Sequence, residues 1–346
     1  MSLIYDGPVH PDAATVFVRN VPSPADHKLS TFLPDKTIND IRVDFASAAR
    51  VNRTASFRAF DGNIPYLERD SVETRQIDLL PLSIMGGKGE YERLKLEQQR
   101  QAGGSLTAIT EAIYNDLEIG VRSIRNRLEV ARGQVLSTGK LTLAGENGIF
   151  LTADFQVPGD HFVTAATPWS TVATAPVVQD LTTWVEKYTQ DNGFAPGGMI
   201  ISRKTMGYLQ RNAEFRLLLS VIQGAPGVVG RSAVDAVLAD YNLPPIVEIY
   251  DTVINVEGVD TRVIPEDKVI FVPPNASDLG YVAYGITATA QELLGAAQSD
   301  LSFTDAPGLA GVVIKDGPPF RERTMVDSLV MPILENPKAL FVADVF

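Results

Sequence analysis

The chain is 346 residues long, with no cysteine, three histidines, 30 basic and 42 acidic side chains, and a formal net charge of −12. At 45% hydrophobic and 21% charged it is a globular chain, not a disordered one, and long enough for two domains or one elaborated one. Without cysteine there can be no disulfide, thiolate nucleophile, iron–sulfur cluster or cysteine-type zinc site, and a reducing compartment fits.

His10, His27 and His161 are too scattered for the close pairing that imidazole metal sites use. No apolar run approaches the roughly 20 residues of a membrane span. The opening Met1-Ser2-Leu3-Ile4-Tyr5-Asp6 lacks the basic-then-apolar layout of a signal peptide, so a soluble, unsecreted protein is expected.

Residues 1–40 carry Pro8, Pro11, Pro22, Pro24 and Pro34 without a sustained period, which predicts an extended arm. Its apolar residues, Val16, Phe17, Val18, Phe32 and Leu33, need a surface on this subunit or on a neighbour. In residues 41–80, Ile41, Val43 and Phe45 alternate with Arg42 and Asp44, and residues 72–79 alternate again beyond Asp61-Gly62-Asn63. The pattern predicts a long hairpin-like excursion. Its charges are six arginines (Arg42, Arg50, Arg53, Arg58, Arg69, Arg75) and six acids, with no lysine. Arginine's planar fork suits bidentate pairs at interfaces, so the excursion reads either as a docking element or as a solvated loop.

Residues 88–137 are expected to be helical, with Gly103-Gly104 interrupting. From Leu106 through Ile109, Ile113, Leu117, Val121, Ile124, Leu128, Ala131 and Val135, apolar residues recur at spacings of 3, 4, 4, 4, 3, 4, 3 and 4. Ser105 is the expected cap and Gly139 the expected stop. Such a helix is on the order of 45 Å long and must act as a backbone for the subunit. A hairpin is predicted around Gly139–Gly148. From residue 168 onward the pattern is mixed: helices at Val177–Tyr188, Lys204–Val221 and Ser232–Tyr241, and strands at Met199–Ser202, Ile246–Tyr250 and Val269–Val272. Asn255–Pro265 reads as loop or hairpin. The closing Val326–Met331 and Ala339–Val345 read as strands broken by Pro332 and Pro337.

The search for chemistry is negative. Gly133–Lys140 is a near miss to a phosphate loop, with five residues between the glycines and Leu141 where a magnesium-binding hydroxyl belongs. Gly227-Val-Val-Gly230 lacks the third glycine of a dinucleotide fingerprint. No Gly-x-Ser-x-Gly elbow occurs, and no spacing singles out a carboxylate pair. Asp251, Glu257 and Asp260 are either a hard-cation cluster or a solvated acidic loop. Residues 88–140 carry nine basic and seven acidic side chains, which is not a phosphate-tracking stripe. No catalytic, cofactor-binding or metal-ligating residue is assigned.

The order of parts is what stands out. It runs from the arm to an extended loop returning through Ile64-Pro65-Tyr66-Leu67-Glu68-Arg69-Asp70, then the long helix and Ser137-Thr138-Gly139-Lys140-Leu141. After these come Trp169, a helix with Asp180 and Trp184, the strand Gly197-Gly198-Met199-Ile200-Ile201, and a close at Val330-Met331-Pro332-Ile333-Leu334-Glu335-Asn336-Pro337. This series resembles the major capsid proteins of tailed bacteriophages, the lambda-like capsid protein E family with the Hong Kong 97-type fold.

The resemblance implies an α+β fold with an N-terminal arm (1–40), an extended loop (41–80), and a peripheral domain carrying the spine helix (81–150). An axial domain (151–300) and a return to the peripheral domain (301–346) would follow. It implies a shell of pentamers and hexamers around double-stranded DNA, built in the bacterial cytoplasm and found in the virion. Scaffolding protein, portal and a cementing or decoration protein are the implied partners, with scaffolding supplied separately because the chain opens directly in the arm. No enzyme activity, cofactor or membrane contact is implied. Inter-subunit contacts are expected from Arg42, Arg50, Arg53, Arg58, Arg69, Arg75, Phe17 and Phe32. Some relatives weld the extended loop through a Lys–Asn bond; no lysine lies between Lys36 and Lys88, so no such bond through the loop is expected. An acidic inner wall would keep packaged DNA from sticking. Two rivals are an encapsulin-type compartment of the same fold and a hydrolase with a carboxylate pair.

Overall fold

The computed structural model describes residues 3–4, 9–47, 73–89, 91, 94–95, 98, 106–146, 148–219, 227–295, 308–316 and 321–346. The arm is not simply extended. Strand β1 (Leu3–Ile4) is followed by helix α1 (Pro11–Asn20), whose N-cap His10 accepts from the Asp12 amide at 3.4 Å. Pro11 occupies the first turn, where its missing N–H costs nothing, and Pro22 and Pro24 lie beyond the last, so the prolines punctuate the helix instead of preventing it. Ala14, Thr15 and Val18 form its buried face. Thr15 Oγ1 donates to the Gly311 carbonyl (3.1 Å) and Arg19 Nε to that of Leu309 (3.1 Å), which seats α1 on a distant strand of the same chain. A 3-10 turn (Leu29–Thr31) and β2 (Asp35–Thr37) complete the arm.

Strands β3 (Arg42–Ser47) and β4 (Glu73–Asp78) pair antiparallel as the stem of the excursion, with Arg42 opposite Asp78. Strand β5 then runs Leu80–Lys88, so Lys88 is strand where helix was expected. The long helix α2 covers Leu106–Thr138, 33 residues or about 50 Å. It ends where expected: Gly139 adopts φ +67° and its N–H reaches the Val135 carbonyl at 2.8 Å. The predicted hairpin is β6 (Lys140–Glu146) with β7 (Ile149–Asp154).

Beyond β8 (Phe162–Thr164) come α3 (Val177–Asn192), β9 (Gly198–Ile201), α4 (Arg203–Arg211), α5 (Ala213–Leu219) and α6 (Arg231–Asp240). The single helix expected at Lys204–Val221 is thus two. Asn212 breaks it with an extended backbone, its Oδ1 accepting from the Glu214 amide (2.9 Å) and its Nδ2 donating to the Ala175 carbonyl (3.0 Å). Strands β10 (Ile246–Ile249), β11 (Val253–Val256), β12 (Val259–Arg262), β13 (Lys268–Val272) and β14 (Gly280–Gly285), helix α7 (Ala288–Gly295), and strands β15 (Ala310–Asp316), β16 (Arg321–Leu334) and β17 (Phe341–Asp344) complete the chain.

Two sheets organise the molecule. The first has the order β1-β15-β16-β14-β2, with β5 also paired to β16. Strand β16 continues through Pro332, where a break was expected. Val282, opposite Pro332, sends its N–H away to the Pro34 carbonyl (2.9 Å), so this is a non-hydrogen-bonded pair and the ladder loses nothing to proline. The second sheet has the order β10-β9-β13-β17-β8 and is apolar on both faces. Met199, Ile201, Val269, Phe271, Phe341 and Ala343 face helices α3–α6, whereas the alternate residues Ile200, Ile270, Val272 and Val342 join the core that holds α2. One sheet therefore separates two cores.

After β13 the chain crosses between the two sheets twice. Strand β14 pairs with β16 in the first sheet, and β17 leaves it to lie between β13 and β8 in the second. Asn192 Nδ2, Tyr188 Oη and the His161 ring Nδ1 bond the successive carbonyls of Lys338 (2.9 Å), Ala339 (3.1 Å) and Leu340 (2.9 Å), fixing this second crossing.

The hairpin β11–β12 turns on Glu257-Gly258, both with positive φ (51° and 88°). Two such residues in a two-residue loop favour Asn-Gly. Glu257→Asn should raise stability by about 0.5–1 kcal/mol, since a non-glycine residue other than Asn or Asp is strained there. Chemical unfolding checks it: an unchanged or lower midpoint would show that the turn carries no strain.

Candidate assembly surfaces and the buried junction

The expected contact residues separate into three groups. Arg42 is exposed and its Nε pairs with Asp78 Oδ1 at 2.6 Å across the β3–β4 stem. At such an exposed position this pair contributes little to stability. Arg75 lies on β4 opposite Phe45. Arg50, Arg53, Arg58 and Arg69 fall outside the described residues. Phe17 and Phe32 are half-buried on their own subunit's core, with the Phe17 ring 4.6 Å from that of Tyr114. Large apolar side chains remain uncovered elsewhere: Phe150 (80% exposed) on the β6–β7 hairpin, Val259 (66%) on β12 and Leu217 (64%) on α5. They stand on three separate elements.

Asp251, Glu257 and Asp260 do not converge. Asp251 accepts from the Arg203 amide (3.1 and 3.3 Å) and from Arg262 Nη1 (3.2 Å). Asp260 accepts from Asn255 Nδ2 (2.7 Å), and Glu257 is the turn residue. The loop is a network of ion pairs and turn contacts. Among the described residues no group of three or more His, Asp or Glu side chains is arranged to hold a metal. No helix among them is long and apolar enough to cross a membrane.

The least expected feature is a buried charge junction on the spine. Glu129, fully buried, receives the Leu29 amide (2.9 Å) and the Tyr250 hydroxyl (2.8 Å) on Oε1, and Arg132 Nη1 (3.3 Å) on Oε2. Arg132, itself buried, also pairs with Asp35 on β2. Burial, with the Glu129 charge beside it, pushes the Tyr250 phenol far up, so its hydroxyl stays a donor. Tyr284 rises for the same first reason, burial, with Asp35 adding to it. The signal was present in the sequence. Arg125, Glu129 and Arg132 form a second row one residue on from Ile124, Leu128 and Ala131, on the flank of the apolar stripe.

A spine helix of 33 residues, an arm helix seated on β15, a paired β3–β4 stem and two sheets exchanging strands now define the subunit. The family model described as phage major capsid protein E matches residues 13–345. The chain belongs to the phage major capsid protein E family. It is therefore a phage major capsid protein, a component of the virion shell, and the family is a structural one.

Its fold agrees. A putative capsid protein of a prophage from E. coli CFT073 superposes with a TM-score of 0.62 at 15% identity, covering 100% of both chains. A phage-related protein from Bordetella bronchiseptica RB50 superposes with a TM-score of 0.53 at 11% identity, covering 99% of this chain and 97% of that one. No curated protein sequence matches it. In this phage major capsid protein, Phe150, Leu217 and Val259 stand exposed on the β6–β7 hairpin, α5 and β12.

Proposed function

We propose that copies of this chain close through pentamers and hexamers into an icosahedral shell around double-stranded DNA, and that the chain has no catalytic role. The observation that carries this reading is the family match over residues 13–345. The net charge of −12 supports it, because an acidic wall holds an enclosed polyanion without adhesion. Scaffolding protein, portal and a cementing protein are further partners of this reading, and the peripheral and axial roles of the two cores belong to it too. Negative-stain micrographs and sedimentation of the expressed protein test it: closed shells or capsomer rings are expected. A small monomer or dimer under all conditions that turned over a substrate would overturn it. Particles from phage-producing cells should contain DNA; particles holding only protein cargo would favour an encapsulin-type compartment.

The arginine bias of the excursion adds a prediction. Arg58→Ala with Arg69→Ala should reduce shell yield severalfold in sedimentation while leaving the melting temperature of the unassembled subunit unchanged. Equal loss of solubility and assembly would assign both arginines to the subunit's own fold.

A further inference from the structure

The buried junction joins three parts of the chain that are remote in sequence. Leu29 belongs to the arm and Glu129 to the spine, while Tyr250 continues β10, with its amide bonded to the Ile201 carbonyl (2.9 Å) of the second sheet. A single carboxylate oxygen thus holds the arm from one side and the second sheet from the other. Two contacts lie alongside. Thr252 Oγ1 donates to the Asp26 carbonyl (3.0 Å), and Lys28 Nζ stands 3.9 Å from Glu248 Oε1. Arg132 and Asp35 extend the chain of contacts to β2, which is paired with β14 in the first sheet.

We infer that the arm is a conformational strap: through Glu129 the seating of residues 26–35 on the spine and the seating of the second sheet on the spine are energetically coupled. The physical reason lies in the carboxylate. A fully buried charge is tolerable only while its acceptor sites are filled by donors. Removing the Tyr250 hydroxyl leaves Glu129 short of one donor, and the carboxylate recovers it by admitting water where the arm turn covers it. Lifting the arm removes the Leu29 donor and weakens the hold on Tyr250 by the same coupling, since linkage between two sites is reciprocal. In a shell subunit this ties the arm's position to the relative orientation of the two cores, so a neighbour that displaces one shifts the other.

Hydrogen exchange by mass spectrometry on the full-length, unassembled subunit tests the coupling. Tyr250→Phe removes one oxygen and no volume from the ring. Exchange in residues 26–35 should accelerate roughly tenfold, the scale of one hydrogen bond to a charged group, while α1, seated on β15, should stay protected. Acceleration confined to residues 246–252 would overturn the inference, because it would make Tyr250 a local packing residue. Thr252→Val, at a half-buried position, supplies a second variant should the first fold poorly. It too should accelerate residues 26–35, and no change there would count against the strap. The coupling acts within one subunit and is read independently of whether shells form.

Discussion

Gly133→Ala should destabilise the subunit by about 3 kcal/mol, although alanine is worth about 1 kcal/mol more than glycine in a helix interior. A Cβ at this position would lie 2.3 Å from the Val263 carbonyl oxygen, 2.4 Å from Val263 Cγ1 and 2.9 Å from the carbonyl carbon. Two of those atoms are backbone, and they follow β12 immediately, so no rotamer change clears them. Overpacking costs typically run at about 1–3 kcal/mol, and a clash with a fixed carbonyl belongs at the upper end or beyond. Urea unfolding of the unassembled subunit measures it. Val263→Ala should recover only part of the loss, because the side-chain contact goes and the carbonyl contact remains. A stability equal to or above that of the unmodified chain would show that helix and loop separate at little cost. The same contact explains why Gly133 stands in a sequence that nearly reads as a phosphate loop. It is the point where the spine admits the backbone of the segment after β12.

How far the fold was legible follows from what local sequence can encode. The spine, the β6–β7 hairpin, α3 and the strands at 246 and 269 announce themselves because each repeats its own period long enough to be seen. Helix α1 did not, because ten residues between prolines give too few repeats, and its decisive signals were the cap and a small buried face. The continuity of β16 through Pro332 was hidden for another reason. Proline breaks a strand only where its N–H would have been used, and that depends on which residue stands opposite, a tertiary fact. The two strand exchanges, β14 into the first sheet and β17 into the second, are likewise pairing choices with no local signature. Glu129 and Arg132 each sit one residue on from the apolar stripe of their helix. A charge beside a stripe looks solvated until an arm is known to lie over it. The excursion's arginines offer only their residue type, which fits a docking element and a solvated loop alike.

Trp169→Ala should be the most damaging truncation in the second core. The side chain is buried to 1% exposure, stacks on Trp184 at 5.8 Å with an 18° interplanar angle, and donates from Nε1 to Asp180 Oδ2 at 3.0 Å. Its backbone amide bonds the Val345 carbonyl (2.6 Å), so it also holds the chain's last residues against the second sheet. Loss of a buried tryptophan to alanine costs about 3–5 kcal/mol. Trp169→Phe separates the two contributions, because it keeps most of the ring and removes the donor. Burial raises the Asp180 carboxyl above its ordinary value, and the Trp169 hydrogen bond opposes that rise. A carboxyl raised on folding makes its ionised form a burden, felt fully above the folded value and absent below the unfolded one, near 3.9. Removing the donor enlarges the burden. The deficit of Trp169→Phe relative to the unmodified chain should therefore be largest at neutral pH and shrink as the pH falls through the raised folded value, where protonation of Asp180 relieves it. Asp180→Asn in the Trp169→Phe background should remove that pH dependence while leaving the packing loss. Unfolding curves at several pH values measure both, and a deficit independent of pH would show that the indole N–H contributes nothing beyond its ring.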